Sequence, residues 1–111
     1  MTINEYQELA LRTEQGMNKE YPRLLNGLMG LNGEAGEAID ILKKELFQGH
    51  PTNKEHMAKE LGDVAWYLAI SADAIGYKLE DIFEMNIKKL KARYPDGFDS
   101  EHSIHRSEGD I

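Results

Sequence analysis

An all-α bundle with short connections is the fold class the sequence predicts, and three observations predict it. Apolar residues recur at three- and four-residue steps through four successive segments. Helix start and stop signals bracket those segments, and no stretch alternates apolar and polar residues as a half-buried strand does. Such stripes are covered most simply by packing helix on helix.

The first segment opens with Thr2 and Glu5, a T-x-x-E capping box in which each side chain bonds an unpaired amide of the first turn. Ile3, Tyr6, Leu9, Ala10 and Met17 form its stripe, and Gly16 and Asn18 mark its end. Pro22 suits the first turn of a second helix. That helix carries Leu24, Leu25, Leu28, Leu31, Ala35, Ala38, Ile39, Leu42 and Leu46, with Gly30 or Gly33 as bend points, and stops at Gly49 to Pro51. Thr52 and Glu55 offer a second capping box. The third stripe is Met57, Leu61, Val64, Ala65, Leu68, Ala72 and Ile75, ended by Gly76. A fourth helix follows with Leu79, Ile82, Phe83 and Leu90, and Pro95-Asp96-Gly97 closes it with turn residues. From Asp99 the chain is polar and aperiodic, which predicts one helical domain over 1–98 and a tail over 99–111, mobile or docked on a partner.

A chain of 111 residues builds one hydrophobic core and no more. Its 41% apolar and 30% charged residues suit long helices with wet outer faces. A formal charge of −7 argues against a nucleic-acid polymer as partner, since binders of that polyanion display basic surface. The absence of cysteine excludes disulfides, thiolate metal sites and a cysteine nucleophile. The polar, acidic start MTINEYQELALRTEQ is unlike a signal peptide and no run reaches the length of a membrane span, so the expectation is a soluble protein of the cytoplasm with no membrane partner.

Two acidic pairs carry the chemistry. Glu34 and Glu37, in GEAGEAID, and Glu60 and Asp63, in KELGDVAWY, are each spaced three apart, so each pair occupies one helix face. Acidic pairs at this spacing are common on solvated helix faces, but the neighbours here are small or apolar: Gly33, Ala35, Gly36, Ala38, Leu61, Gly62 and Ala65. Interior glycines cost about 1 kcal/mol each relative to alanine, which implies close approach of another helix or a ligand. The turn at Gly49 to Pro51 falls near the midpoint between the pairs, and an antiparallel hairpin would bring them level. Level, partly desolvated carboxylates stay ionised only with a counter-charge, and hard divalent cations with oxygen ligands supply one. Neither pair has the histidine of an iron-binding E-x-x-H, so Mg²⁺ is favoured, with Mn²⁺ as a substitute. Mg²⁺ held by few carboxylates takes substrate phosphates as further ligands, pointing to phosphoryl or nucleotidyl hydrolysis.

The order E-x-x-E, spacer, E-x-x-D, within GLNGEAGEAID and KELGDVAWYL, resembles the MazG-like all-α nucleoside triphosphate pyrophosphohydrolases, and the likeness runs from TINEYQELALRTE to NIKKLKARYPDGF. In that family another acid often precedes each pair; here Gly33 and Lys59 stand at those places. The resemblance implies a four-helix-bundle-like MazG-type fold that splits a (deoxy)nucleoside triphosphate into monophosphate and pyrophosphate. Mg²⁺ would be held by Glu34, Glu37, Glu60 and Asp63, the same four being the catalytic set, and water would attack the α-phosphorus. It also implies phosphate contacts at Lys89 and Arg93 and a metal or phosphate contact at Asn86, from the matching N-x-x-K-x-x-x-R segment. The alternative for that stripe is a solvated basic face.

Trp66 and Tyr67 follow Asp63 closely enough for a ring to stack on a nucleobase, core packing being the simpler role. His50 and Lys54 lie in the hairpin turn within potential reach of a substrate, and His102 and His105 in the tail are assigned no metal role. Four long helices in so short a chain expose more apolar stripe than one contact covers, which predicts a homodimer or homotetramer. The rival functions are a phosphoribosyl-nucleotide or dUTP hydrolase, and a non-catalytic metal-binding helical module.

Overall fold

The computed structural model describes residues 1–14 and 21–105. Among the described residues there are five helices: α1 (Ile3–Leu11), α2 (Tyr21–Phe47), α3 (Lys54–Ala74), α4 (Leu79–Arg93) and α5 (Ser100–Ile104). Among the described residues there is no β-strand, only an isolated bridge between Pro95 and Gly97. Two compact units result, Met1–Leu79 and Glu80–Ile111.

In the first unit the predicted capping box closes α1: Thr2 Oγ1 accepts from the Glu5 amide at 3.1 Å and Glu5 Oε1 accepts from the Thr2 amide at 3.2 Å. The helix is shorter than its stripe suggested, ending at Leu11 with Arg12 as its C-cap. The predicted stop at Gly16 and Asn18, and Met17 with it, lie outside the described residues. Helix α2 runs unbroken for 27 residues through Gly30 and Gly33.

The start of α3 departs from expectation. Its N-cap is Asn53, whose Oδ1 accepts from the His56 amide at 2.9 Å, and not Thr52 with Glu55. The Asn53 amide is itself taken by Glu45 Oε1 of α2 at 3.0 Å, which ties the connection to α2 and sets the first helical residue one place later. At the other end α3 closes in a Schellman motif. Gly76, at φ +83°, lets the Tyr77 amide reach the Ala72 carbonyl and its own amide reach that of Asp73, both at 2.9 Å.

Helices α2 and α3 pack as an antiparallel hairpin, with α1 laid on α3. The contact is close because glycine allows it: a Cβ at Gly27 would strike the Ser71 side chain, and one at Gly30 would fall on the Tyr67 ring. Advancing along α2 therefore answers to receding along α3, and beyond these two contacts Glu34 and Glu37 of α2 come together with Glu60 of α3.

Gln7 locks the far end of the unit. Buried, it donates from Nε2 to the carbonyls of Ala69 (3.1 Å) and Tyr77 (3.3 Å) and accepts from the Leu79 amide (2.9 Å). Arg23 adds a charged tie, reaching Glu14 at 2.8 Å and Asp73 at 2.7 Å. The buried apolar set is small: Ala10, Ala69, Ile70, Ala72 and Leu79. Much of the predicted stripe is instead exposed, including Leu25, Leu28, Ile39, Leu42 and Leu46 of α2, Leu61 of α3 and its C-cap Ile75. A hairpin whose helices meet through glycine and small side chains covers one narrow face of each, and leucines beyond it stay outside.

In the second unit α4 carries acidic residues, Glu80 and Asp81, in its first turn and basic ones, Lys91 and Arg93, in its last, in accord with the helix dipole. Its Phe83 and Leu90, expected in the core, are also exposed. The turn after it pivots on Gly97 at φ +93°, with the rings of Tyr94 and Phe98 5.2 Å apart. The segment expected to be an aperiodic tail forms a short helix, α5, whose N-cap Asp99 accepts from the His102 amide at 2.9 Å and also bonds the His102 ring. Periodicity is a poor guide over five residues, where one capping side chain suffices.

Candidate metal centre

Three carboxylates converge where α2 passes α3. Glu34, Glu37 and Glu60 each offer an oxygen, and these oxygens all lie within 4.8 Å of one another. Glu34 and Glu37 come from one face of α2 by their three-residue spacing, and Glu60 meets them from α3. Glu60 is buried, Glu34 half-buried and Glu37 exposed, so the group forms a cup open on one side.

Glu34 Oε2 and Glu60 Oε2 are buried with no hydrogen-bond partner. Buried oxygens of this kind are costly unless a proton or a cation satisfies them. The Glu34 carboxyl is accordingly pushed up to about 7, first by the Glu60 carboxyl that faces it, then by desolvation, then by Glu37. With its pKa raised, the Glu34 carboxyl holds a proton more readily than an isolated one does. A divalent cation would replace that proton, and an all-oxygen donor set with buried, unsatisfied lone pairs fits a hard ion such as Mg²⁺.

Asp63, the fourth predicted ligand, lies further along α3, is exposed, and contributes no oxygen to the three-residue cluster. Its charge reaches Tyr6 of α1, whose hydroxyl is held above its ordinary pKa chiefly by burial and secondarily by Asp63. Trp66 and Tyr67 are engaged in packing. The Trp66 indole N–H donates to Thr13 Oγ1 at 2.7 Å, the two rings meet edge to face at 4.9 Å, and Tyr67 lies against Gly30.

Asn86 and Lys89 are exposed on α4, and Arg93 is half-buried with its guanidinium 5.9 Å from the centre of the Tyr94 ring. These three belong to the second unit. Lys54 opens α3, and His102 is bound to Asp99.

The structure also brings in residues that the motifs did not single out. His56 Nε2 stands 3.4 Å from Glu60 Oε1, one helical turn before it. Lys44 Nζ pairs with Asp40 at 2.8 Å and holds that carboxyl below its usual range. Both pairs are four apart in sequence, and that spacing was the signal available for them.

The described residues thus form a helical fold with a cup of three carboxylates between two antiparallel helices. Residues 24–98 match the MazG nucleotide pyrophosphohydrolase domain, and the chain belongs to that family. It is also similar to the Gene 37 protein of Mycobacterium phage L5, 38% identical over 69 residues, which are 59% of this chain and 60% of that protein. The match thus spans about 60% of that relative's length. No solved structure matches the chain. No described helix is long and apolar enough to cross a membrane.

Proposed function

We propose that the chain hydrolyses a (deoxy)nucleoside triphosphate to the monophosphate and pyrophosphate in a Mg²⁺-dependent reaction, by attack of water on the α-phosphorus. The observation that carries this is the pair of buried, partnerless oxygens of Glu34 and Glu60 within a three-glutamate cluster, in a chain of the MazG family. Glu34, Glu37 and Glu60 would hold the cation, with Asp63 as the fourth carboxylate, and Mn²⁺ would substitute. The cation supplies charge neutralisation for the phosphates and a lowered pKa for water. The carboxylates fix its place and take up the proton released by the attacking water. Asn86, Lys89 and Arg93 are the proposed phosphate contacts of the second unit, with 1–98 as the working domain.

The exposed leucines of α2 and α3 support assembly as a homodimer or homotetramer, because so much apolar surface on a small chain is expensive to leave in water. The expected setting is the cytoplasm, where nucleotide pools lie.

A panel of common and modified triphosphates, with and without Mg²⁺, tests the reaction. Monophosphate and pyrophosphate as products, with ¹⁸O from labelled water in the monophosphate, is the expected result. Release of diphosphate and orthophosphate would place the attack elsewhere. Mg²⁺ binding without turnover of any nucleotide, dUTP and phosphoribosyl nucleotides included, would make the protein a helical binding module instead.

A further inference from the structure

One face of α2 stays uncovered, and its residues follow a regular pattern. Leu25, Leu28, Ile39, Leu42 and Leu46, with Asn32 and Ala35 between them, fall at alternating steps of three and four along the helix. This is the a/d spacing by which two helices interlock over successive heptads. Every one of these side chains is exposed, Ile39 at 62% and Leu46 at 66%. The stripe occupies a different face from Gly27 and Gly30, which meet α3. On one flank of it Leu24, Leu31, Ala38 and Glu45 are half-buried, whereas on the other Met29, Gly36 and Lys43 are exposed. Over the stripe and its open flank Lys43 is the one charged residue, in a chain of which 30% is charged.

Three observations indicate what covers this face. From Leu25 to Leu46 the stripe runs about 33 Å, a length that only α2 and α3 approach among the described helices, and α3 is already packed against α2 and α1. A third of the accessible perimeter of a helix over that length is about 500 Å² per copy, so two copies would cover about 1,000 Å², the threshold for a specific interface. Two copies of charge −7 repel each other, and a stripe without an acidic side chain is where they meet at least cost. A basic partner would find no carboxylate on it to pair with.

Laid antiparallel about a two-fold axis between Gly33 and Glu34, the stripe is complementary to itself. Leu25 then meets Leu42 of the second copy, Leu28 meets Ile39, and Asn32 meets Ala35, so large side chains face large ones across the seam. On the open flank Met29 comes over Gly36, where an added Cβ meets nothing within 4 Å and a flexible thioether finds room. Asn32 is tolerated in the seam because its Nδ2 already donates to the Leu28 carbonyl at 3.0 Å. A parallel pairing would set the two Asn32 side chains together and bring like helix ends side by side.

We propose that two copies of the chain pair through this stripe of α2 in antiparallel orientation, Leu28 of each lying against Ile39 of the other. The inference rests on the reading that the chain self-assembles, and commits it to one face, one direction and one register.

Charge exchange across the seam tests it. Leu28→Glu and Ile39→Lys, both at exposed sites, are each expected to keep the helical circular-dichroism signal and to weaken dimerisation about tenfold or more by analytical ultracentrifugation. Mixed one to one, they are expected to recover the dimer, because only the antiparallel register sets the introduced carboxylate against the introduced ammonium while keeping the other Leu28–Ile39 contact. A second readout uses the absence of native cysteine: Leu28→Cys mixed with Ile39→Cys is expected to give a disulfide-linked dimer under oxidation, and neither variant alone. A charge-variant mixture that stays monomeric, or a cross-link formed by Leu28→Cys alone, would overturn the proposal. A wild-type protein that is monomeric at every concentration sinks it together with the self-assembly reading. One that assembles, with both charge variants assembling equally well, sinks this inference alone.

Discussion

Replacing Gln7 by methionine, a straight chain of similar length, removes three hydrogen bonds at once. The Ala69 carbonyl loses least, because it sits within α3 and keeps a helical partner. The Leu79 amide loses most: it is the first residue of α4, where no intrahelical acceptor exists, and Leu79 is 2% exposed. At about 1 kcal/mol per bond, with a further penalty for the stranded buried amide, the cost is about 3–4 kcal/mol. For a chain of this size each kcal/mol lowers the midpoint by about 4 °C, so a fall of about 12–16 °C is expected. Urea denaturation followed by circular dichroism, checked by thermal unfolding, measures it. Gln7→Glu gives a second handle: it keeps an acceptor for Leu79 but sets a carboxylate against two carbonyls, so its loss is at least as large at neutral pH and shrinks in acid. A loss under about 1 kcal/mol in Gln7→Met would show that these bonds do not hold α1 to the end of α3.

The remaining predictions concern the cup and the glycines. Glu37→Ala or Glu60→Ala abolishes nucleotide turnover and leaves the helical circular-dichroism signal intact; retained turnover would remove these residues from the site. The folded protein holds the Glu34 proton more tightly than the unfolded chain, so this group's contribution to stability is complete below the ordinary value of 4.5 and is lost as pH rises through about 7. Metal-free thermal midpoints between pH 4.5 and 8 should carry that decline, whereas Glu34→Gln lacks it and Mg²⁺ suppresses it. Gly33→Ala stabilises the metal-free fold by about 1 kcal/mol through helix propensity, whereas Gly30→Ala destabilises it by about 1–3 kcal/mol because its methyl meets the Tyr67 ring; equal effects in denaturant titrations would refute the distinction. Light scattering in solution tests assembly, and a protein that remains monomeric at high concentration would count against the dimer or tetramer.

Local order was legible residue by residue. The Thr2–Glu5 box, the stop at Gly76 and the three-residue acidic spacing all act within one or two helical turns, where backbone geometry leaves few alternatives. The same locality explains the misplaced start of α3, since the Glu45 side chain that claims the Asn53 amide comes from another helix. It explains the missed α5 as well, because a single capping aspartate needs no apolar rhythm behind it.

The amino-acid order by itself determined that the chain is helical, where most helices begin and end, and that two acidic pairs belong to neighbouring helices. Tertiary structure alone decided which glycines bring α2 against α3 and which leave open space, that Glu34, Glu37 and Glu60 converge without Asp63, and that many leucines of the stripes remain outside. Helical periodicity specifies the face a side chain occupies. Which face meets a neighbour, and how closely, depends on the interhelical register, and that is set by contacts between residues as far apart in the chain as Gly27 and Ser71.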